Sequence, residues 1–386
     1  MEKNDPFWRI FISLFTLILL GYAPLSFGDA SSDTLGFEDA VFPELAFSGR
    51  ALALGSAYIA KVDDNAAPFY NPAGLGTVRK LKFHLSNMHA EVNMGWVKVA
   101  TGGKITEALK SLPLVLSLNT FAASVKNNPG VLTNTRYQFV PNITGRFFSV
   151  GYLFSRKTRM RVVEDGTPDD NFEYADRYDY GPYGSLNLSL FGGIFKVGMT
   201  MIYLNRHELI GTASSDPLVT FSISDSDYNV GSGLFTVGGA KITLPIIWLP
   251  TLAVSLHNAF NKNFSSRQGT LAKIKNTIDV GISVTPKIGG KTRLHMEMNY
   301  KDLTEKFSSV KPIRKVLIGF EFDFSRSFFL RFGYGDSYGT AGFGFKSKTI
   351  DFDLSTYSVN PEPNSNSIRG EEDRRISLSI SSGFGL

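Results

Sequence analysis

Cysteine is absent from this sequence of 386 residues. No disulfide can therefore cross-link the fold, no thiolate can ligate a metal, and no N-terminal cysteine can carry a lipid anchor. If the chain is attached to a membrane, the fold itself must provide the attachment.

A strong charge of one sign is also missing. The chain has 40 Lys and Arg residues against 35 Asp and Glu residues, which gives a formal net charge of +5. Such a mixed surface is not the basic stripe of a nucleic-acid-binding protein, so we expect no nucleic-acid partner. Since 43% of the residues are hydrophobic and 13% aromatic, the chain can form one large domain or two ordinary ones.

Histidine is scarce, and the five residues are His84, His89, His207, His257 and His295. Only the first two are close in sequence, and five positions along a strand would place them on opposite faces. We therefore predict no metal site, and no motif indicates a cofactor. The alternation of their strands places the last two histidines on a polar face.

Long hydrophobic runs are limited to the N-terminus. Lys3 and Arg9 precede the apolar run 10–20, and small residues follow it. This is the three-part pattern of a secretory signal peptide, and the run is short for a membrane-spanning helix of roughly 20 residues. We predict a signal peptide over residues 1–28, cleaved on export, with an uncleaved anchor as the alternative.

From residue 80 onwards the chain shows a strict alternation of apolar and polar side chains. In 318–324, Ile and three Phe residues alternate with Gly, Glu and Asp, and the pattern recurs in 195–201, 278–285 and 293–300. Because successive strand side chains point to opposite faces, each segment predicts a strand with one apolar and one polar face. A soluble β-sandwich and a membrane barrel both give this pattern.

Three features favour the transmembrane barrel. About fourteen to sixteen segments are present, and a closed sheet of that size has a lumen too wide for side chains to fill, so its polar faces must point inward. The last segment, 375–386, keeps an apolar face to its end and should pair with the first strand, since a sheet in lipid must close. Short links also alternate with long ones: 286–290, 325–327 and 346–348 against 261–273, 301–313 and 360–374.

Outer-membrane barrels have short turns on the periplasmic side and long loops outside. We therefore place the acidic loops 164–179 and 214–227 outside. Two further segments do not read as strands: 104–112 has the spacing of a short helix, and 245–250 ("PIIWLP") suits a connection at the membrane surface with Trp248 in the interface.

The stretch "DDNAAPFYNPAGLG" (63–76) precedes the barrel and is broken by two prolines and two glycines. Asn71 before Pro72 suits a helix N-cap followed by proline at the first helical position. Upstream, a helix-like run ends at Gly55 and a brief alternating piece covers 57–62. Because the residues are small, backbone can pack against backbone, and we predict a compact plug inside the lumen.

The longer stretch "GRALALGSAYIAKVDDNAAPFYNPAGLG" (49–76) resembles the N-terminal signature of FadL-type outer-membrane proteins and their PorV/PorQ-type and spirochaetal relatives. The run "FFLRFGYGDSYGTAGFGFKSKTIDFDLSTY" (328–357) is similar to the penultimate hairpins of those relatives. The resemblance implies an all-β, antiparallel transmembrane β-barrel of about fourteen strands with a small N-terminal hatch plugging the lumen. It lowers our count of sixteen, which includes weak candidates near Trp96 and Arg159.

The resemblance also divides the chain into a signal peptide (1–28), a hatch (29–79) and a barrel (80–386). In the fatty-acid transporters of this family, hydrophobic ligands enter from outside, pass a pocket gated by the hatch and leave through the barrel wall. The resemblance therefore implies that this protein is an outer-membrane channel and not an enzyme. The channel would take up hydrophobic small molecules such as long-chain fatty acids by hatch-gated passive diffusion. The implied partners are outer-membrane lipid and a fatty-acid-like ligand.

The alternative is a PorV-like barrel that docks exported proteins in secretion or surface assembly and carries no small molecule. The positions that match the hatch motif are Arg50, Gly55, Asp63, Asp64, Asn71, Pro72, Ala73, Gly74 and Leu75. We expect Arg50 to pair with Asp63 or Asp64, and Asn71 to cap a helix or bond the wall. These residues either gate the channel or only fold the plug, and no ligand-binding residue can be assigned from the motif.

Gly335 to Gly339 satisfies the G-x-S-x-G pattern of serine hydrolases, which normally sits at a strand-to-helix turn. Here it lies between two alternating segments, so we interpret it as a hairpin tip. A membrane lipase that uses Ser337 is the alternative.

Overall fold

The computed structural model describes residues 35–37, 39–42, 45–102, 118–163, 172–361 and 372–385. The signal peptide and the helix proposed at 104–112 lie outside these residues. In the described part of the chain, no helix is long and apolar enough to cross a bilayer.

One antiparallel sheet forms the wall. Its strands are β1 Lys82–Asn93, β2 Thr133–Phe139, β3 Asn142–Thr144, β4 Phe148–Val162, β5 Phe172–Leu190, β6 Phe195–Ala213, β7 Asn229–Thr243, β8 Thr251–His257, β9 Ser265–Gln268, β10 Thr277–Val284, β11 Thr292–Tyr300, β12 Val316–Phe324, β13 Phe328–Gly335, β14 Tyr338–Lys346, β15 Ile350–Val359 and β16 Asp373–Gly385.

The sheet closes on itself, because β16 pairs with β1 from Lys82 opposite Gly385 to Asn93 opposite Arg375. Strands β2 and β3 both pair with β1 and with β4, so they occupy one position in the wall. Strands β8 and β9 both pair with β7 and share another. The barrel therefore has 14 positions, which confirms the predicted closure and the lower strand count.

The helices within the described residues are short. They are α1 Gly49–Ala53, α2 Ala67–Tyr70, α3 Met94–Thr101 and α4 Leu118–Lys126, with 3-10 turns η1 Pro72–Thr77, η2 Phe191–Gly193, η3 Asp225–Asp227 and η4 Pro312–Lys315.

Of the two weak strand candidates, one is wrong and one is a real strand. Trp96 lies in α3, because the side chain of Asn93 accepts a hydrogen bond from the Trp96 backbone N–H (2.8 Å) and caps a helix directly after β1. The Trp96 ring is fully buried against Phe121 of α4. Arg159 lies within β4.

The wall is apolar outside and polar inside, which decides between the two architectures that the periodicity allows. In β13, Leu330 and Phe332 are 42% and 50% exposed, whereas Arg331 between them is 3% exposed and faces the lumen. Outward apolar and inward polar side chains alternate in the same way on β5 and β6. This is the arrangement of a transmembrane barrel.

The two ends of the barrel differ in their connections. At one end, called the turn end, short links join β3 to β4, β5 to β6, β7 to β8, β10 to β11, β12 to β13 and β14 to β15. The loop end carries the longer links, together with the tight hairpin at Asp336 and Ser337. The predicted acidic loop 164–179 is too long, since β5 begins at Phe172 and Asp179 is buried on its inner face.

His84 and His89 both face the lumen, so their predicted placement on opposite faces is wrong. The register of β1 against β16 shifts between His84 and Ser86, where a β-bulge adds a residue and reverses the alternation. His84 Nδ1 and His89 Nδ1 then lie 2.8 and 2.5 Å from the hydroxyls of Ser381 and Ser379, on neighbouring inward positions of β16.

Residues 45–79, called the inner segment, lie within the barrel. Helix α1 packs against β13 to β16, and η1 packs against β5 to β7. Wall side chains hydrogen-bond its backbone: Gln138 bonds both the N–H and the C=O of Phe47 (3.0 Å each), and the hydroxyl of Ser255 donates to Tyr70 O (2.5 Å). The brief alternating piece at 57–62 forms an irregular turn.

Candidate functional site

Arg50 of α1 joins the inner segment to the wall. Its Nε and Nη2 donate to the two carboxylate oxygens of Glu321 on β12, both at 2.7 Å, and its Nη1 donates to Asp63 Oδ1 at 2.7 Å and Asp64 Oδ2 at 3.3 Å. The predicted pairing of Arg50 with these aspartates is therefore present. Its bidentate partner on the wall, Glu321, was seen in the sequence only as one of several charged residues on the inner face.

The ion pairs continue along the wall from Glu321. Arg331 of β13 donates from Nε to Glu321 Oε2 (2.8 Å) and from Nη1 to Asp353 Oδ1 of β15 (2.5 Å). Strands β12, β13 and β15 and the inner segment thus share one network of alternating charge. Buried charges are tolerated when each is paired and hydrogen-bonded, as these are.

Protonation at this network follows from burial and neighbouring charge. Burial alone would raise the pKa of Asp63, but Arg50 and Lys61 outweigh it and hold that pKa well below its ordinary value. Burial raises the pKa of Tyr58 well above its ordinary value, and the Asp64 carboxylate adds to this against the opposing effect of Arg50. Tyr58 consequently stays protonated and donates to Asp64 Oδ2 at 2.5 Å.

Asn71 fixes the other side of the inner segment. Its Oδ1 accepts from the Ala73 N–H (3.1 Å), which is the predicted helix cap, and η1 starts at Pro72. Its Nδ2 donates to Ile59 O at 3.0 Å within the segment and to the wall carbonyls of Val254 (3.3 Å) and Ala240 (3.5 Å). A single fully buried side chain therefore caps the 3-10 turn and bonds the wall.

Glycines let the inner segment approach the wall. Gly55 has φ +63°, a conformation that favours glycine, and a Cβ there would lie 2.5 Å from Tyr334 O on β13. Within the segment, a Cβ at Gly74 would lie 2.5 Å from Val62 O. A Cβ at Gly239 of β7 would overlap Asn71 Oδ1. The small residues of the motif therefore serve close packing, as expected from the sequence.

Sequence reasoning missed Glu297 of β11 as a partner of the inner segment. Its two carboxylate oxygens accept the backbone N–H groups of Ala60 and Lys61, each at 2.8 Å. The ring of His295 lies against the same carboxylate, with Nε2 3.2 Å from Oε2. The signal was present, since the alternation of β11 puts both side chains inward, but their partner was not visible.

Asp39 was also missed, although it binds three cations of the wall. It accepts from Lys157 Nζ (2.5 Å), from Arg375 Nη1 and Nη2 (2.9 and 3.1 Å) and from Arg159 Nη2. Burial alone would raise the pKa of Asp39, but these cations outweigh it and hold the pKa well below its ordinary value. The available signal was a pair of acids, Glu38 and Asp39, within the otherwise apolar stretch "GFEDAVF".

A cavity lies between the inner segment and the loop end of the wall, with a volume of about 1110 Å³ that includes space open to solvent. It is lined by the inner segment, the stretch before it and residues of β4, β6 to β8 and β10 to β12. Most of its lining is apolar, including Phe42, Phe69, Ile202, Phe235, Val237 and Leu317. A concave site with a mostly apolar lining and some polar groups is typical of ligand-binding sites.

Charged groups at the border of the cavity have partners. Lys157 is bound to Asp39, and His257 Nε2 lies 3.3 Å from Asp279 Oδ2. Lys275 Nζ lies 3.9 Å from the centre of the Phe307 ring. The lining of the cavity therefore combines an apolar majority with several polar and charged groups.

Ser337 does not resemble a hydrolase nucleophile. Asp336 and Ser337 form the two-residue tip between β13 and β14, with φ of +51° and +70°. The Ser337 hydroxyl is buried, and within the described part of the chain it has no hydrogen-bond partner, histidine included. The hairpin interpretation of the G-x-S-x-G pattern is confirmed.

The fold and the lumen define a transmembrane β-barrel of the outer-membrane type that holds a segment of its own chain inside. No protein-family model matches the sequence, and no curated protein matches it significantly.

Among solved structures, the chain is similar to a FadL homologue from Pseudomonas aeruginosa at 11% identity and a TM-score of 0.47, over 90% of this chain and 99% of that one. It is similar to a deltaS2 mutant of the TodX monoaromatic hydrocarbon channel at 9% identity and a TM-score of 0.49, over 88% of this chain and 99% of that one. It is similar to the Ralstonia pickettii toluene transporter TbuX at 12% identity and a TM-score of 0.46, over 88% of this chain and 98% of that one. The strand pairing described above, and not these similarities, establishes the fold.

Proposed function

We propose that this protein is an outer-membrane channel for the uptake of hydrophobic small molecules, such as long-chain fatty acids, by passive diffusion. In this proposal the inner segment is a hatch that closes the lumen. Arg50, Gly55, Asp63, Asp64, Asn71, Pro72, Ala73 and Gly74 hold it in place.

The cavity carries this proposal. Large barrels have polar, water-filled lumens, yet here the inner segment and the wall line a cavity whose lining is mostly apolar. An apolar lining binds molecules that water excludes, and it gains little from a sugar or an ion. The FadL-like signature at 49–76 supports the same substrate class.

A hatch must be held firmly enough to seal and loosely enough to move. Arg50 and Asn71 hold two separate sides of the inner segment, one by ion pairs and one by hydrogen bonds to backbone carbonyls. Diffusion past the segment requires only one side to yield. We place that movement on the cavity side, where contacts are mainly apolar.

The first test is a binding experiment on the detergent-purified protein. Apolar molecules that co-purify are identified by mass spectrometry, and displacement of a fluorescent fatty acid gives an affinity. Val237→Phe adds volume inside the cavity, whereas Ile242→Phe on the same strand points to the outside and is the matched control. We expect at least a tenfold loss of affinity, about 1.4 kcal/mol, for Val237→Phe alone.

Equal binding by both variants, or no apolar ligand at all, would contradict the uptake proposal. Specific exported proteins that co-purify with a ligand-free barrel would instead favour a docking role in secretion or surface assembly.

A further inference from the structure

Four consecutive turns at the turn end carry exposed apolar side chains. They follow β3, β5, β7 and β10, and their tips include Phe191 at 78% exposure and Ile247 at 81%. The apolar side chains are Phe147, Phe191, Ile246, Ile247, Leu249 and Ile288, all more than a third exposed. We call these four turns the apolar rim.

Backbone hydrogen bonds link each turn of the apolar rim to the next hairpin. The Asn187 N–H donates to Phe147 O (2.8 Å), the Thr243 N–H to Ile194 O (2.9 Å) and the Thr285 N–H to Trp248 O (2.6 Å). The apolar tips are therefore carried on one continuous, rigid edge of the barrel.

The conformation of the third turn disfavours the residues it contains. Trp248 and Leu249 have φ of +69° and +49°, where glycine or asparagine would be less strained. Leu249 is nevertheless 45% exposed at the edge of the barrel, so much of its apolar surface faces outwards.

The remaining two turns at this end have the same backbone scheme and polar side chains. The Ser325 N–H donates to Lys291 O (2.9 Å) and the Lys346 N–H donates to Ser327 O (2.8 Å). Their tips read Ser-Arg-Ser at 325–327 and Ser-Lys-Thr at 347–349. Within the links themselves, apolar side chains are thus found on one side of the turn end, and the exposed Phe324, Phe328 and Ile350 beside the polar tips belong to the strands.

The lipid-facing surface runs without a break into the apolar rim. On β5 the outward residues Leu186 and Leu188 are 70% and 57% exposed, and the series continues through Leu190 to Phe191. Exposed basic side chains accompany the tips: Arg146, Lys287 and Lys291. Apolar tips with basic neighbours are the composition of segments that lie in a membrane interface.

We propose that the apolar rim inserts into the headgroup region of the lipid leaflet at the turn end, while the polar turns at 325–327 and 347–349 stay in water. Its partner is a phospholipid surface, and the basic residues contact anionic headgroups. The lipid belt is then taller around β4 to β11 than around β12 to β15, so the barrel is anchored unevenly. This inference does not depend on the transport function.

Tryptophan fluorescence tests the proposal, because the chain has three tryptophans and one of them is Trp248. Trp8→Phe and Trp96→Phe leave Trp248 as the single tryptophan. The protein is then reconstituted in phosphatidylcholine and phosphatidylglycerol vesicles. Bromines near the top of the lipid acyl chains should quench Trp248 about twofold, and acrylamide in the water should quench it weakly. If Trp96→Phe prevents folding, the Trp248 signal is taken as the difference between the protein and its Trp248→Phe variant.

The matched control places tryptophan on a polar turn, as Arg326→Trp in a background with Trp8, Trp96 and Trp248 changed to Phe. Acrylamide should quench this tryptophan strongly, and bromolipid should not. Equal bromolipid quenching at the two positions would overturn the uneven anchoring. Strong acrylamide quenching of Trp248 without bromolipid quenching would show that the rim faces water and is open to a protein instead.

Discussion

The two sides of the inner segment make different kinds of contact with the wall. Towards β12 to β15, Arg50 is bound to Glu321, and the ion pairs continue through Arg331 to Asp353. Towards β6 to β8, apolar side chains such as Ile202 and Phe235 line a cavity, and Asn71 bonds wall carbonyls of β7 and β8. On the first side the ion pairs fix both the partner and the orientation of the inner segment. On the second side there is space between the inner segment and the wall.

The difference matters because the two kinds of contact fail differently. Separating a buried ion pair leaves uncompensated charges and costs several kcal/mol, so the charged side must stay as it is or break as a unit. Apolar contacts are not directional, and side chains around a cavity can rearrange around a guest. The ion-paired side therefore sets the position of the inner segment, and the cavity side can accommodate a ligand.

Arg50→Ala should have the largest effect, because it removes the charged side of the comparison. Glu321 is 2% exposed and would keep only Arg331, and both aspartates would lose their main cation. We expect about 3–5 kcal/mol less stability for the docked inner segment. Hydrogen exchange of the backbone amides at 45–79 measures this directly.

Arg326→Ala is the control, since Arg326 is exposed on a turn at the turn end. Its hydrogen exchange should match the unchanged protein. Protection at 45–79 that survives Arg50→Ala would mean that the apolar contacts and the hydrogen bonds of Asn71 on the opposite side hold the segment by themselves.

The wall was predictable from sequence because its information is local. Alternation of side chains predicts strands, and link lengths predict which end is which. The pairing of Arg50 with Asp63 was also within reach, since the two lie 13 residues apart in one motif. One bulge between His84 and Ser86 was enough to defeat the alternation, because an extra residue leaves no mark in composition.

The cavity and most partners of the inner segment could not be predicted in this way. Glu321 is 271 residues from Arg50, and Arg375 is 336 residues from Asp39. Such pairs depend on which strand of the closed sheet faces which part of the inner segment. Charge on an inward face was visible in the sequence, but its partner depends on the three-dimensional register.

Asn71→Ala should have the next largest effect and acts on the opposite side of the segment. It removes the cap on Ala73 and the bonds to the carbonyls of Ile59 and Val254, leaving buried groups unsatisfied. We expect about 2 kcal/mol, with hydrogen exchange rising around 71–77 and not around Arg50.

Gly239→Ala provides an independent check from the wall, because its Cβ would overlap Asn71 Oδ1. The same local loss of protection is expected. A loss that spreads equally to α1 would contradict the view that the two sides are held separately.

Acidification should loosen the charged contacts selectively. The pKa values of Asp39 and Asp63 are held below their ordinary value, so these carboxylates stabilise the docked state above about pH 4. That contribution is lost as the pH falls below this value, when the carboxylates take up protons. Hydrogen exchange, corrected for its intrinsic pH dependence, should be constant from about pH 5 to 8 and rise below about pH 4.

Asp39→Asn sharpens this test, because the neutral amide cannot be protonated in the same range. The variant should lose part of its protection at neutral pH and respond less to acid. An acid response of unchanged size would assign the effect to other carboxylates of the lumen.

Ser337→Ala should have the smallest effect, and it separates a channel from an enzyme. The hydroxyl is buried without a hydrogen-bond partner among the described residues, so its removal costs no interaction, and alanine occupies the same space less one oxygen. We expect a change in stability within about 0.5 kcal/mol and unchanged binding of a fluorescent fatty acid. If the purified barrel hydrolyses esters and Ser337→Ala abolishes this activity, Ser337 is a catalytic serine. The loop-end hairpin would then have a role that is independent of how the inner segment is held.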